Sequence, residues 1–162
     1  MFKRILIPID GSKSSQQAFK KGIAFAAEQG AAVRLLHVHE VSVLSEMYAA
    51  QAASAGSSLA PNVKGLEKFE ADLRKRSETL LEQATGMATK AGIAKVDGKV
   101  VNAGMRKAAK LIVDDAAKWK ADLIVMGTHG RSAFDHMVFG SVAEGVMRTA
   151  PVPVLLVRSP SK

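Results

Sequence analysis

The segment running Gly127, Thr128, His129, Gly130, Arg131 and on to Gly140 and Ser141 holds the residues best suited to chemistry in this chain. Its glycines fall as G-x2-G-x9-G, with Ser141 directly after the last. Glycine permits positive φ and lets an anion approach the backbone with no Cβ in the way. Successive amides in such a turn form a concave nest of donors. A helix opening at Gly140 and Ser141 would add unpaired N–H groups and the positive end of its dipole, and both favour phosphate. Arg131 supplies a cationic fork matched to phosphate oxygens, and Ser141 suits a helix cap, a phosphate contact or a water on a metal. Taken singly, each glycine reads as a tight turn or a helix entry. Together, beyond one apolar run, they read as an anion site. Neither the Walker spacing nor the dinucleotide G-x-G-x2-G spacing occurs.

These residues need a frame. Residues 123–126 (Leu-Ile-Val-Met) form a continuous apolar run, as expected of a strand covered on both faces. The run Ile5-Leu6-Ile7-Pro8-Ile9 reads the same way and ends at Asp10-Gly11-Ser12, where turn chemistry leads into a helix. That helix has the stripe Ala18, Phe19, Gly22, Ile23, Ala26 and Ala27, with Ser12 or Ser14 as N-cap and Gly30 as the stop. Residues 32–38 predict a second strand. Residues 41–65 are small, polar and weakly patterned, as a lid, a binding loop or a disordered insertion would be. A long helix is predicted over 66–91 with Phe69, Leu73, Leu80, Ala84, Met87 and Ala88 inward. A strand follows over 95–102, then a helix over 106–120 with Leu111, Ile112, Ala116 and Trp119 inward. After the strand at 123–126 and the glycine segment come a helix over 141–149, halted by Pro151, and a last strand over 152–157.

Strands alternating with helices imply an α/β fold: one domain over 1–162, with a parallel five-stranded sheet and helices on both faces in a three-layer sandwich. In such sheets ligands bind beyond the carboxyl ends of the strands, where the winding reverses. Asp10 and Gly127 both stand at such ends. Asp10 also reads as an Asx turn capping the first helix. Placed beside the glycine segment, it becomes a ligand contact.

Other constellations are weaker. His37 and His39 share a strand face and Glu40 follows, but no third metal ligand has convincing spacing. His129, Ser132, Asp135 and His136 crowd one loop without a nucleophile-elbow sequence. The chain has no cysteine, which removes disulfides, thiolate metal sites and cysteine nucleophiles. The net charge of +8 raises the question of nucleic acid. The densest basic run, Arg74-Lys75-Arg76, is flanked by Glu70, Asp72 and Glu78 and reads as a solvated helix face. No aromatics interleave with a basic stripe, so the charge suits steering of an anionic ligand better than binding of a polynucleotide. The first apolar run is too short for a signal-peptide core and no stretch approaches a membrane span, so a cytoplasmic location without membrane attachment is expected.

Along nearly its whole length the chain resembles the universal stress proteins. The resemblance rests on the strand into Asp10-Gly11-Ser12, the variable central insertion, Ala121-Asp122-Leu123-Ile124-Val125-Met126-Gly127-Thr128-His129-Gly130-Arg131, Gly140-Ser141-Val142-Ala143, and Pro151-Val152-Pro153-Val154-Leu155-Leu156-Val157-Arg158. The complete G-x2-G-x9-G-[ST] spacing is that family's ATP-binding signature. The resemblance implies a Rossmann-like fold with strand order 3-2-1-4-5 and a homodimer. It implies that Asp10 contacts the ribose or base, that Pro8, Ile9 and Val38 line an adenine pocket, and that Met126 and Gly127 pass beneath the ribose and phosphates. Gly130, Arg131, Gly140, Ser141 and Val142 would hold the phosphates, with His129 in the same nucleotide site. Many members carry Gly-x-Pro after the third strand. Here Gly104-Met105-Arg106 stands instead, so no contact is carried over to that loop. Val152, Val154 and Leu156 alternate on a last strand expected at a sheet edge. Covering by a helix would protect it, and the resemblance implies pairing with the same strand of a second copy.

The function expected on this reading is an ATP-binding, Mg²⁺-assisted stress-response regulator without a catalytic residue. Two alternatives stand beside it. One is a slow ATPase or self-phosphorylating protein, for which only His129 offers itself as an orienting residue. The other is a dimeric interaction module with a vestigial pocket, its partner protein met by the insertion.

Overall fold

The computed structural model describes residues 1–39, 63–104, 106–129 and 139–158. Five strands, β1 (Arg4–Pro8), β2 (Ala32–His39), β3 (Val96–Asn102), β4 (Leu123–Gly127) and β5 (Val154–Val157), form one sheet in the order β3-β2-β1-β4-β5. Every pairing is parallel, with Ile5 opposite Val33 on one side and Leu123 on the other. Four helices connect them: α1 (Lys13–Gln29), α2 (Val63–Lys90), α3 (Ala108–Trp119) and α4 (Ser141–Thr149).

Because side chains alternate across a strand, each apolar run feeds two cores. On one face Ile5, Ile7, Val33, Leu35 and Val125 pack with Phe19, Ile23 and Ala26 of α1 and Leu81, Ala84 and Ala88 of α2. On the other, Leu6, Leu36, Ile124 and Met126 pack with Ile112 and Ala116 of α3 and Ala143 and Val146 of α4. The sandwich is therefore three layers deep, as the alternating pattern requires.

Local chemistry sets the helix ends. Ser12 is the N-cap of α1, its Oγ accepting the Ser15 N–H at 3.1 Å. Gly30 closes α1 in the left-handed region, and the amides of Gly30 and Ala31 satisfy the carbonyls of Ala27 and Ala26. Helix α1 lies tight on the sheet: a Cβ on Gly22 would stand 2.7 Å from Ile7 Cδ1.

The structure moves several sequence expectations. Ala27 and Met87 are exposed, and the buried line of α2 runs through Ser77, Leu81, Ala84 and Ala88, so the stripe is rotated from the expected one. Residues 63–65, read as the end of the insertion, are already helical, and the rest of that stretch lies outside the described residues. Val152 precedes the last strand, because Pro151 and Pro153 have no N–H to give a ladder.

Helix α3 is held to the sheet by charge as well as by its apolar face. Asp115, 3% exposed, accepts Arg34 Nη1 at 3.2 Å and is also bound by Lys99. Arg34 in turn binds Asp97 through Nε at 2.8 Å. A buried carboxylate is tolerable only when paired in this way.

Candidate functional site

The connections leaving β1 and β4 run to opposite sides, since β1 is followed by β2 on one flank and β4 by β5 on the other. Such a reversal leaves the carboxyl ends of the two strands uncovered. A cleft of about 520 Å³ opens there, inside the roughly 300–1,000 Å³ usual for small-ligand sites. It is lined by Pro8, Ile9 and Asp10 from the end of β1, Val38 from β2, Met126, Gly127 and His129 from β4 and beyond, and Gly140, Ser141 and Val142 from the start of α4. The structure thus brings together all the residues predicted for the nucleotide site except Gly130 and Arg131, which lie among residues 130–138, outside those described.

The Asp10 turn is built from short-range bonds. The Ile9 N–H reaches the Leu36 carbonyl at 2.8 Å, and the Ile9 carbonyl lies 2.7 Å from Nδ1 of buried His37. Asp10 Oδ1 accepts the Ser12 N–H at 2.9 Å, and the Asp10 N–H donates to Ser15 Oγ at 3.1 Å. Gly11, at φ +80°, makes the reversal that a side chain would resist. The Asx turn is therefore real, and it leaves Asp10 on the cleft wall. The two readings of this residue coexist.

The glycine segment works differently from the expectation. Neither Gly127 nor Gly140 has positive φ, and Gly140 sits at φ −74°, ψ 155°, open to any residue. Gly127 is required by packing instead. A Cβ there would stand 2.4 Å from Ser14 Oγ and 2.8 Å from the Ser14 carbonyl carbon, so the end of β4 passes directly against the start of α1. Beyond it, Thr128 is buried, its N–H bonded to the Val157 carbonyl at 3.2 Å. The Thr128 carbonyl accepts the Gly140 N–H at 2.8 Å, which ties the end of β4 to the start of α4. His129 Nδ1 lies 3.0 Å from Thr128 Oγ1.

Gly140 caps α4 without a side-chain acceptor. The amides of the first turn, from Ser141 onward, consequently have no intrahelical partner and carry the positive end of the helix dipole. This open helix end borders the cleft. Leu36, Val38, Ile112 and Met126 add an apolar wall to the same cleft. The cleft thus offers both donors suited to an anion and apolar surface suited to a flat ring.

Five lining residues escaped the sequence reading as site residues: Ser15, Leu36, Ala108, Ile112 and Ala143. Leu36 stands two residues before Val38 on the same strand face, a spacing that could have marked it. Ala108 and Ile112 carry no such signal, because α3 reaches the cleft through close packing with α4. A Cβ on Gly145 would lie 2.7 Å from that of Ala109.

The two strand histidines are used within the fold. His39 Nδ1 lies 2.9 Å from Ser77 Oγ, and that hydroxyl donates to the Leu73 carbonyl, which leaves the histidine nitrogen as the donor of the pair. Among the described residues no group of three His, Cys, Asp or Glu side chains is placed to hold a metal ion, and no helix is long and apolar enough to cross a membrane. Strand β5 does lie at a sheet edge. Val152, Val154 and Leu156 pack half-buried against the α3–α4 core, while Leu155 on the other face is 43% exposed.

Comparison with known proteins agrees with this geometry. Residues 1–158 match the model of the universal stress protein family. A universal stress protein of Methanocaldococcus jannaschii is 34% identical over 162 residues, covering 100% of this chain and 85% of that protein. Among solved structures, a universal stress protein in complex with cAMP superposes with a TM-score of 0.64 at 22% identity, covering 98% of each chain. The universal stress protein from Archaeoglobus fulgidus in complex with dAMP gives 0.57 at 20% identity, covering 97% of this chain and 98% of that one. Sequence pattern, strand order and relatives agree, and the chain belongs to the universal stress protein family.

Proposed function

We propose that this protein binds an adenine nucleotide, ATP with Mg²⁺, in the cleft between β1 and β4, and that it acts in the cytoplasm as a nucleotide-dependent regulator of a stress response. The observation that carries this reading is the convergence on one cleft of an apolar wall, the Asp10 turn and an α4 N-terminus left open by Gly140. The adenine ring packs near Val38, Pro8 and Ile9, and Asp10 meets the ribose or the base. Met126 and Gly127 run beneath the ribose, and the amides of Ser141 and Val142 take phosphate oxygens. Gly130 and Arg131 complete the phosphate end on the family pattern. Mg²⁺ prefers phosphates and water to an all-protein cage, so the nucleotide itself would bring most of its ligands. The relatives solved with cAMP and dAMP support an adenine ligand class.

Binding is favoured over turnover because Asp10 and His129 are the only titratable groups among the described residues that line the cleft. The first is committed through Oδ1 to its turn. The reading also includes a two-fold dimer through β5, whose edge position leaves one row of backbone groups unpaired. The test is calorimetric titration of the purified chain with ATP and AMP in the presence of Mg²⁺. Saturable binding is expected in the wild type, with loss in Gly140→Val, where a branched side chain obstructs the helix end at a backbone conformation that valine tolerates. No binding of either nucleotide at millimolar concentration would end this reading.

A further inference from the structure

At the other end of the sheet, beside the amino ends of β1, β2 and β3, lies a second cavity of about 710 Å³. It is distinct from the nucleotide cleft: along β1 alone, Arg4 and Pro8 are separated by about 13 Å of strand. Its wall carries Lys3, Arg4 and Lys95 against a single carboxylate, Asp97. That carboxylate is already bound by Arg34. The nearby Asp122 is also committed, its two oxygens accepting the backbone amides of Lys3 at 2.7 Å and Arg4 at 3.0 Å. The end of α1 borders the cavity too, but the carbonyls of Ala26 and Ala27 are turned into the helix cap.

Lys3, Arg4 and Lys95, which all line the cavity, have no ion-pair partner among the described residues. The Arg4 guanidinium lies 4.7 Å from the centre of the Trp119 ring, which lines the same cavity, and Arg4 Nε is buried without a hydrogen-bond partner. Stacking on an indole holds a guanidinium by its face and leaves its edge donors available, the arrangement that takes two oxygens of an oxyanion. Nε itself is closed to the cavity, so the donors open to an oxyanion are those at the Nη edge of the guanidinium.

We propose that this cavity is a binding site for a small polyvalent oxyanion of the phosphate class, held by Lys3, Arg4 and Lys95 with Trp119 supporting Arg4. A polyvalent ligand is specified because Asp122 keeps its negative charge beside the three cations and offsets only one of them, so about two positive charges remain to be matched. The site stands on observations independent of the nucleotide cleft.

Trp119 is the only tryptophan in the chain, so its emission reports on this cavity. The experiment is titration of the full chain with inorganic pyrophosphate at constant ionic strength, followed by calorimetry and Trp119 fluorescence. A saturable emission change is expected, with a dissociation constant on the order of 1 mM or tighter. Lys95→Gln should weaken binding about tenfold, the loss of one charge-assisted hydrogen bond. Lys95 is exposed, so this variant should melt with the wild type, whereas Arg4→Gln also removes the ring contact. Gly140→Val should leave the Trp119 response intact. The proposal is overturned by an absent response up to about 10 mM, by an equal response to sodium chloride, or by a response that Gly140→Val abolishes and Lys95→Gln spares.

Discussion

Replacing Gly127 by alanine tests what the first glycine of the G-x2-G-x9-G segment is for. The added Cβ would lie 2.4 Å from Ser14 Oγ, 2.8 Å from the Ser14 carbonyl carbon and 2.9 Å from its oxygen. A side-chain oxygen can rotate away, but the backbone of α1 cannot move without disturbing Ser12, Ser15 and the Asp10 turn bonded to them. Overpacking of this kind costs about 1–3 kcal/mol and more where backbone must shift, so about 3 kcal/mol is expected here. At this chain length that is a fall in melting temperature of roughly 6–12 °C.

Two other glycines calibrate the series. At Gly22 the closest obstacle is the end of a flexible side chain, Ile7 Cδ1 at 2.7 Å, and about 1 kcal/mol of destabilisation is expected for Gly22→Ala. Gly86, exposed on α2, would meet nothing within 4 Å, and Gly86→Ala should stabilise by about 0.5–1 kcal/mol through helix propensity. Denaturant unfolding of the three variants gives the order directly. Ser14→Ala should return only part of the loss in Gly127→Ala, because the backbone contact stays. If Gly127→Ala melted within about 2 °C of the wild type, the close approach of β4 to α1 would not be what demands glycine there.

Further expectations concern the network, the turn and the edge. Asp115→Ala leaves Arg34 with Asp97 alone and strands Lys99, and should lower stability by about 2–3 kcal/mol in urea unfolding. Lys110→Ala, which removes only an exposed pair with Asp114, should fall within about 0.5 kcal/mol of wild type. Asp10→Asn keeps an Oδ1 acceptor for the Ser12 amide and should hold its melting temperature, whereas Asp10→Ala should lose about 1 kcal/mol with the turn bond, and thermal melts separate them. If the proposed β5 dimer forms, Leu155→Lys, on the exposed face of β5, should shift it towards monomer in sedimentation velocity. A wild-type chain that sediments as a monomer, or a variant that sediments unchanged, would rule out the proposed β5 interface.

The layers of this fold were legible in the sequence because their causes are local. Continuous apolar runs at 5–9 and 123–126 can be satisfied only by strands buried on both faces, and both are. Ser12 and Gly30 announced the ends of α1 through cap chemistry that needs no distant partner. The pairing of Asp10 with the glycine segment was also visible, since both follow strand ends. Which face of α2 turned inward was less legible, as its pattern admits Met87 or Leu81 and only docking on β3, where Gly98 lies under Leu81, selects one.

By itself, then, the sequence determined the alternation of strands and helices, the family, and the set of cleft residues carried on β1, β4 and α4. Only the tertiary structure decided why Gly127 is glycine, since its constraint comes from Ser14, over a hundred residues away. It also decided that Ala108 and Ile112 wall the cleft, and that Arg4, Lys95 and Trp119 meet around a cationic cavity at the opposite end. The division has one physical reason. Propensity, capping and burial pattern act between neighbours in the chain, whereas close approach and unbalanced charge exist only once distant segments are packed together.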